Sequence, residues 1–209
     1  AYNPEQKQQD STRVWDDTSN FRWGKTLRIT TNTTTLVPAQ YLYWNYIRDD
    51  KEPFLFERNT NGAGGHFTRT EAILSGLYEL LERDAFMMHW LLSETPRKID
   101  PRTVPDAEFQ KQLERVLRYG FIAHCLHITR ESGIPTFAVV LEDPTGNVPR
   151  FAVGAASAAD PLRALHKALR EACCIYYWAR ENSLYTLPPD YTPFADTKLG
   201  QIRRMRVWM

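Results

Sequence analysis

A glycine-rich turn runs directly into a long helical repeat in this sequence, and that junction limits the fold more than any other feature. Asn59-Thr60-Asn61-Gly62-Ala63-Gly64-Gly65 leads into Thr68-Arg69-Thr70-Glu71, which has the Ser/Thr-x-x-Glu form of a capping box. The spacing predicts a helix from near Arg69 to about Leu92. Ile73, Leu74, Leu77, Leu80, Leu81, Met87 and Met88 recur at helical intervals, only Gly76 interrupts them, and Pro96 follows the end.

Around this helix the remaining patterns alternate between strand and helix. From Thr26 to Trp44, Leu27, Ile29, Leu36, Val37 and the Tyr41 and Tyr43 pair alternate with Thr and Asn, which predicts two short strands broken at Pro38. Asp106 to Tyr119 reads as an amphipathic helix closed by Gly120, and Phe121 to Ile128 as a strand ending at the Ser132-Gly133 turn. Pro135 to Leu141 and Arg150 to Gly154 flank Asp143-Pro144-Thr145-Gly146-Asn147, the layout of an antiparallel hairpin. Asp160-Pro161 places an N-cap before a proline at the first helical position and opens a helix toward Arg180. Pro188-Pro189 and Pro193 mark a closing loop. With no internal repeat, the expected architecture is α+β, long helices packed on a mainly antiparallel sheet. One domain is expected over 26–185, after a polar segment at 1–25 and before a proline-rich loop and truncated segment at 186–209. Natural sequence is expected to continue beyond one or both ends.

Composition narrows the partners. Twenty-six Lys and Arg against twenty-five Asp and Glu leave a formal charge of +1, which gives no reason to expect nucleic acid or an anionic membrane surface. No apolar run has transmembrane length and the start lacks a signal-peptide layout, so a soluble protein is expected. Cys125, Cys173 and Cys174 suit neither a disulfide frame nor a zinc site, and a reducing cytoplasm fits them best. His124 and His127 would point to opposite faces of a strand, against a shared metal.

The candidate chemistry lies on the first long helix. At about 100° per residue, Glu71, Ser75, Glu79 and Glu82 fall within an arc of roughly 80°, with the leucines opposite. Stacked carboxylates suit a hard cation such as Mg²⁺, which in turn binds phosphates; the competing reading is a solvated acidic face. The preceding glycine turn would offer N–H groups and a helix dipole to an anion, although it lacks the Gly-Lys-Ser/Thr of a P-loop.

The segment from Thr60 to Ala85 resembles the signature of the YcaO family. That family carries Ser-x-x-x-Glu-x-x-Glu-Arg on a helix after an Asn-Gly turn, and Ser75, Glu79, Glu82 and Arg83 match it in identity and spacing. Ile134-Pro135, Asp160-Pro161, Ala164-Leu165 and Ala168-Leu169-Arg170-Glu171-Ala172 resemble its second half, so the similarity spans about Asn59 to Arg180. The resemblance implies an ATP and Mg²⁺ site with Ser75 near the nucleotide and Glu79, Glu82 and Glu171 as metal ligands. It implies an enzyme that phosphorylates the oxygen of a peptide amide after a nucleophile attacks the carbonyl. A Cys, Ser or Thr nucleophile then gives an azoline ring, and an external sulfur source a thioamide. The implied partners are a peptide substrate, a leader-peptide-binding protein and a second copy of the chain. Where the family usually carries Gln or Glu and then Arg after its second-motif glutamate, this chain has Cys174 and Tyr176. Losing an oxygen ligand and a phosphate partner should weaken Mg-ATP binding, so the alternative is a non-catalytic scaffold or peptide-binding partner.

Overall fold

The computed structural model describes residues 18–55, 59–147 and 149–182. Residues 1–17 of the polar start and all of the proline-rich end anticipated above lie outside the described residues, while a strand begins at Trp23, inside the segment expected at 1–25. The chain divides into two compact units, Ala1–Thr60 and Asn61–Met209, so a boundary falls inside the span read from sequence as one domain.

In the first unit, β1 (Trp23–Arg28) and β2 (Thr33–Pro38) pair antiparallel, with Trp23 opposite Pro38 and Arg28 opposite Thr33. The Tyr41 and Tyr43 alternation does not extend the strand. A single helical turn, α1 (Ala39–Leu42), follows Pro38 instead and buries Ala39 and Gln40. Proline ends the ladder by removing a donor, and the Ala39 N–H turns to the Arg22 carbonyl at 2.8 Å. The buried Glu52 ties the unit together by accepting hydrogen bonds from Tyr46 Oη at 2.5 Å, Gln40 Nε2 at 3.1 Å and the Arg22 N–H at 3.3 Å.

The second unit holds α2 (Arg69–Leu92), β3 (Arg97–Ile99), α3 (Ala107–Arg118), β4 (Ile122–His127), β5 (Thr136–Glu142), β6 (Phe151–Ser157) and α4 (Pro161–Asn182). The strands form one antiparallel sheet in the order β3-β4-β5-β6. Period-two alternation along β5 sends Phe137, Val139 and Leu141 to one face and Ala138 and Val140 to the other. The first face packs on Phe109, Leu113 and Val116 of α3 and on Ala164, Leu165, Ala168, Leu169 and Ala172 of α4. The second packs on Ala85, Phe86 and Trp90 of α2. Helices therefore cover both faces of an antiparallel sheet, the α+β arrangement expected.

Each long helix starts where its capping residue predicts. Thr68 accepts from the Glu71 N–H at 3.3 Å, and Asp106 accepts from the Phe109 N–H at 2.7 Å, each cap contributing about 1 kcal/mol. The orientation of α2 departs from the simple amphipathic reading. Gly76, Glu82, Ala85 and His89 are its buried residues, while Leu74, Leu77, Leu80, Leu91 and Leu92 are exposed. The acidic side faces inward and the leucine side outward. β3 has no counterpart in the sequence reading because three residues are too few to show alternation.

Three glycine contacts set how closely these segments approach. A Cβ at Gly76 would lie 2.5 Å from the Gly62 carbonyl oxygen, and one at Gly64 would collide with the Ala72 carbonyl, so the glycine turn lies directly against α2. On the other side, a Cβ at Gly154 of β6 would collide with the backbone of Ala168 and Ala172. The small residues Ala164, Ala168 and Ala172 recur every four positions and let α4 close onto β6.

Candidate functional site

The edge strand β6 is where α2 and α4, from opposite faces of the sheet, come together. Between them lies a cavity of about 400 Å³ lined by Ser75, Glu79, Glu82 and Arg83 of α2, Lys167, Arg170, Glu171 and Cys174 of α4, and Ala63 and Ala155. The four residues that the resemblance implies for the site, Ser75, Glu79, Glu82 and Glu171, all line this one cavity. Glu71 does not join them. It stays at the helix start, where it accepts from the Thr68 hydroxyl at 2.5 Å and pairs with His66 Nδ1 at 2.8 Å.

The position of Glu171 follows from the Gly154 contact. With α4 held close to β6, one Glu171 carboxylate oxygen accepts the Ala155 N–H at 3.1 Å. That bond satisfies a donor on the open side of an edge strand, which otherwise would be free to pair with another chain. Arg83 bridges the α2 carboxylates loosely, with 3.8 Å to Glu79 and 3.7 Å to Glu82.

The electrostatics are those of carboxylates withdrawn from water. Glu82 is only 9% exposed, and burial, followed by the Glu171 charge, pushes its carboxyl up to about 7. Burial likewise raises Glu171, against the opposing hydrogen bond from Ala155 and the charges of Arg83 and Lys167. A bound cation would relieve both effects, since oxygen donors and uncompensated charge are what a hard divalent ion requires. Among the described residues no three His, Cys, Asp or Glu side chains converge as a ready-made metal cage. The donors fit Mg²⁺ in its usual mode, in which one or two carboxylates share the ion with phosphate oxygens.

The two departures in the second half of the chain fall in different places. Cys174 is exposed and lines the cavity. Tyr176 points away from it: its hydroxyl donates to Asp143 Oδ2 at 2.7 Å and its ring meets Phe121 edge-on at 4.6 Å. Tyr176 is therefore a structural anchor between α4 and the end of β5. His124 pairs with Glu142 at 3.3 Å, and His127 sits opposite Phe137 on the other face of the sheet. Sequence reasoning missed Lys167 and Arg170 as lining residues. Their spacing with Glu171 and Cys174, at i, i+3, i+4 and i+7, was the available sign of one helix face.

Sequence comparison assigns the family to which this fold and cavity belong. The family model described as YcaO cyclodehydratase, ATP-ad Mg2+-binding, matches residues 1–206, and the chain belongs to the YcaO family. An uncharacterized protein in the tfuA 3' region of Rhizobium leguminosarum bv. trifolii is 31% identical over 161 residues, which are 72% of this chain and 37% of that protein. A heterocyclase solved in complex with substrate and cofactor has a TM-score of 0.64 at 27% identity, over 72% of this chain and 20% of its own. YcaO from Methanopyrus kandleri, bound with AMPPCP and Mg2+, has a TM-score of 0.68 at 23% identity, over 94% of this chain and 50% of its own. The chain thus spans under half the length of the curated relatives it matches. No helix among the described residues is long and apolar enough to cross a membrane.

Proposed function

We propose that the cavity between α2 and α4 is a site for ATP and Mg²⁺ used to activate a peptide-backbone amide. The observation that carries this is the meeting of Ser75, Glu79, Glu82 and Glu171 around one cavity, where two of the carboxylates are raised by burial. Family membership and the AMPPCP and Mg2+ bound to the Methanopyrus kandleri protein support it. Glu79, Glu82 and Glu171 would hold Mg²⁺ together with phosphate oxygens, and Ser75 would face the nucleotide.

When bound, ATP would supply a phosphoryl group to the amide oxygen and turn a poor leaving group into phosphate. Arg83 and Arg170, at the cavity wall, would receive phosphate oxygens and offset charge as it moves from nucleotide to amide. A Cys, Ser or Thr side chain of the peptide as nucleophile gives azoline-forming cyclodehydration, and an external sulfur donor gives a thioamide. The heterocyclase named above supports the first. The peptide substrate, a leader-binding partner protein, a homodimer and a cytoplasmic setting belong to this same reading.

One observation favours a second reading. The thiol of Cys174 stands at the cavity wall, where an oxygen donor would serve the cation better, which suits a non-catalytic partner domain. Calorimetric titration with ATP and Mg²⁺, alongside a Glu79→Ala/Glu82→Ala variant, tests the proposal. Binding by the parent and loss in the variant is the expected result. No binding by the parent would overturn it, and binding without phosphate release in the presence of peptide would favour the partner domain.

A further inference from the structure

A second cavity, of about 320 Å³, opens at the other edge of the sheet, where the end of α2 meets β3 and β4. His89, Thr95, Arg97, His127, Arg130 and Glu131 are among its lining residues. The strand order β3-β4-β5-β6 sets it apart from the cavity beside β6, and the two have no lining residue in common.

The polar groups of this cavity are not equally engaged. Arg130 is taken up by Glu94 at 2.6 Å and by Glu131 at 3.5 Å. Arg97 stands directly opposite His127 in the ladder of β3 and β4, so the two side chains leave the sheet on the same side. Among the described residues, the Arg97 guanidinium, the His127 imidazole and the Thr95 hydroxyl have neither a hydrogen bond nor an ion pair. His89 adds a buried group in the same condition. It is 9% exposed, and its Nδ1 has no hydrogen-bond partner although Glu94 Oε2 lies 3.4 Å away. Arg97 and His127 are not a helix cap, since the N–H groups of Ser93 and Glu94 close the end of α2 on the His89 carbonyl.

Burial, with the Arg97 charge next, holds His127 below the ordinary histidine value, and burial holds His89 below it as well. Both rings are therefore neutral near pH 7, and each offers one N–H and one bare nitrogen. A guanidinium fork, a hydroxyl and two rings of mixed character call for a compact anion that accepts several hydrogen bonds and also donates one. Hydrogenphosphate does both, whereas a carboxylate or a sulfate only accepts. A divalent metal would suit the imidazoles but not the guanidinium groups of Arg97 and Arg130 beside them. We propose that this cavity is a second ligand site, built for the phosphate group of a small phosphate-bearing molecule, with Arg97 as its anchor and Thr95, His127 and His89 around it.

Inorganic phosphate, titrated into the full chain and followed through the imidazole nitrogen resonances of His89 and His127, tests this for the parent, Arg97→Gln and Arg97→Lys. Circular dichroism confirms that each variant is folded, and Arg97 is exposed enough for both to be tolerated. Both imidazoles of the parent should shift in a saturable way. Arg97→Gln should weaken binding on the order of tenfold, as expected for the loss of a charged hydrogen bond, and Arg97→Lys should fall between the two. Glycerol phosphate, run alongside, tells an ester from the free ion, and saturable shifts with either support the site. Unmoved imidazoles in the parent would overturn the proposal, as would equal phosphate affinity in Arg97→Gln or sulfate binding as tightly as phosphate. A shift of the Ala155 N–H in place of the histidines would also overturn it, because the phosphate would then sit in the cavity beside β6. The two sites are read at opposite edges of the sheet, so failure here leaves the nucleotide reading standing, and a chain that binds no ATP leaves this test intact.

Discussion

Glu82 shows how one side chain can report on the whole site. Its carboxyl is held up to about 7, chiefly by burial and then by Glu171, against an ordinary value of 4.5. Between pH 4.5 and 7 the folded chain keeps a proton that the unfolded chain has lost, so stability falls as pH rises through that window. The full effect is about 3 kcal/mol in the metal-free protein, by the usual conversion of a pKa shift. Urea midpoints should be lower at pH 8 than at pH 5, and Glu82→Gln should flatten the difference and stabilise the chain at pH 8. Because burial lowers His89 and His127, which adds stability over the same window, the Glu82 share is read from the variant: an unchanged pH dependence in Glu82→Gln would contradict the buried placement of Glu82. Tyr176 offers the opposite kind of residue. Tyr176→Phe removes a hydrogen bond to the buried Asp143 and should cost about 1–2 kcal/mol. Because Tyr176 does not line the cavity, ATP affinity of the variant should match that of the parent in a calorimetric titration. The resemblance alone had placed Tyr176 where a phosphate partner belongs. Only its bond to Asp143, distant in sequence, shows otherwise.

At the scale of elements, local signals were legible and facing directions were not. Thr68, Asp106 and Asp160 announced three helix starts because a cap is a contact between residues two or three apart. The Ser75, Glu79 and Glu82 face was legible for the same reason, since a helix alone fixes which residues share a side. Which side turns inward is a property of the neighbouring layer, and so the choice between a cation site and a solvated acidic face stayed open in the sequence. α2 turns Ala85, Phe86 and Trp90 to the sheet, Gly76 to the glycine turn, and Glu82 to the cavity it shares with α4. The meeting of Glu171 with Glu82 was legible only through the family resemblance, as no spacing within one segment relates two helices on opposite faces. Gly154 is the element-scale test of this arrangement. Gly154→Ala forces a Cβ into the backbone of α4 and should cost about 3 kcal/mol or more. It should also weaken Mn²⁺ binding, because moving α4 away breaks the Glu171 bond to Ala155. Alanine at Gly133, where an added Cβ has open space but φ is +68°, should lower stability without changing Mn²⁺ affinity.

Over the whole molecule, stability is distributed unevenly between the two compact units. In the second unit β5 is paired on both edges by β4 and β6 and covered on both faces, and six of its seven residues are buried. In the first unit β1 and β2 form a two-stranded sheet whose residues are mostly exposed, and such a pair has little stability of its own in water. The sequence showed strands in both places but not this contrast, since pairing on a second edge and cover by helices are long-range facts. Backbone amides open at free energies set by the contacts that must break, so the two sheets should separate in native-state hydrogen exchange. Amides of β5 and of the β6 ladder should exchange slowest, near the free energy of global unfolding. Those of the β1 and β2 pair should exchange at least about a hundredfold faster at the same pH and temperature, through openings that leave the second unit intact. ATP and Mg²⁺ should slow exchange in α4 and at the N–H of Ala155, where Glu171 is anchored, while leaving β1 and β2 unchanged. Equal protection in both sheets would mean that the units unfold as one, and protection by ligand in β1 or β2 would bring the first unit into the site.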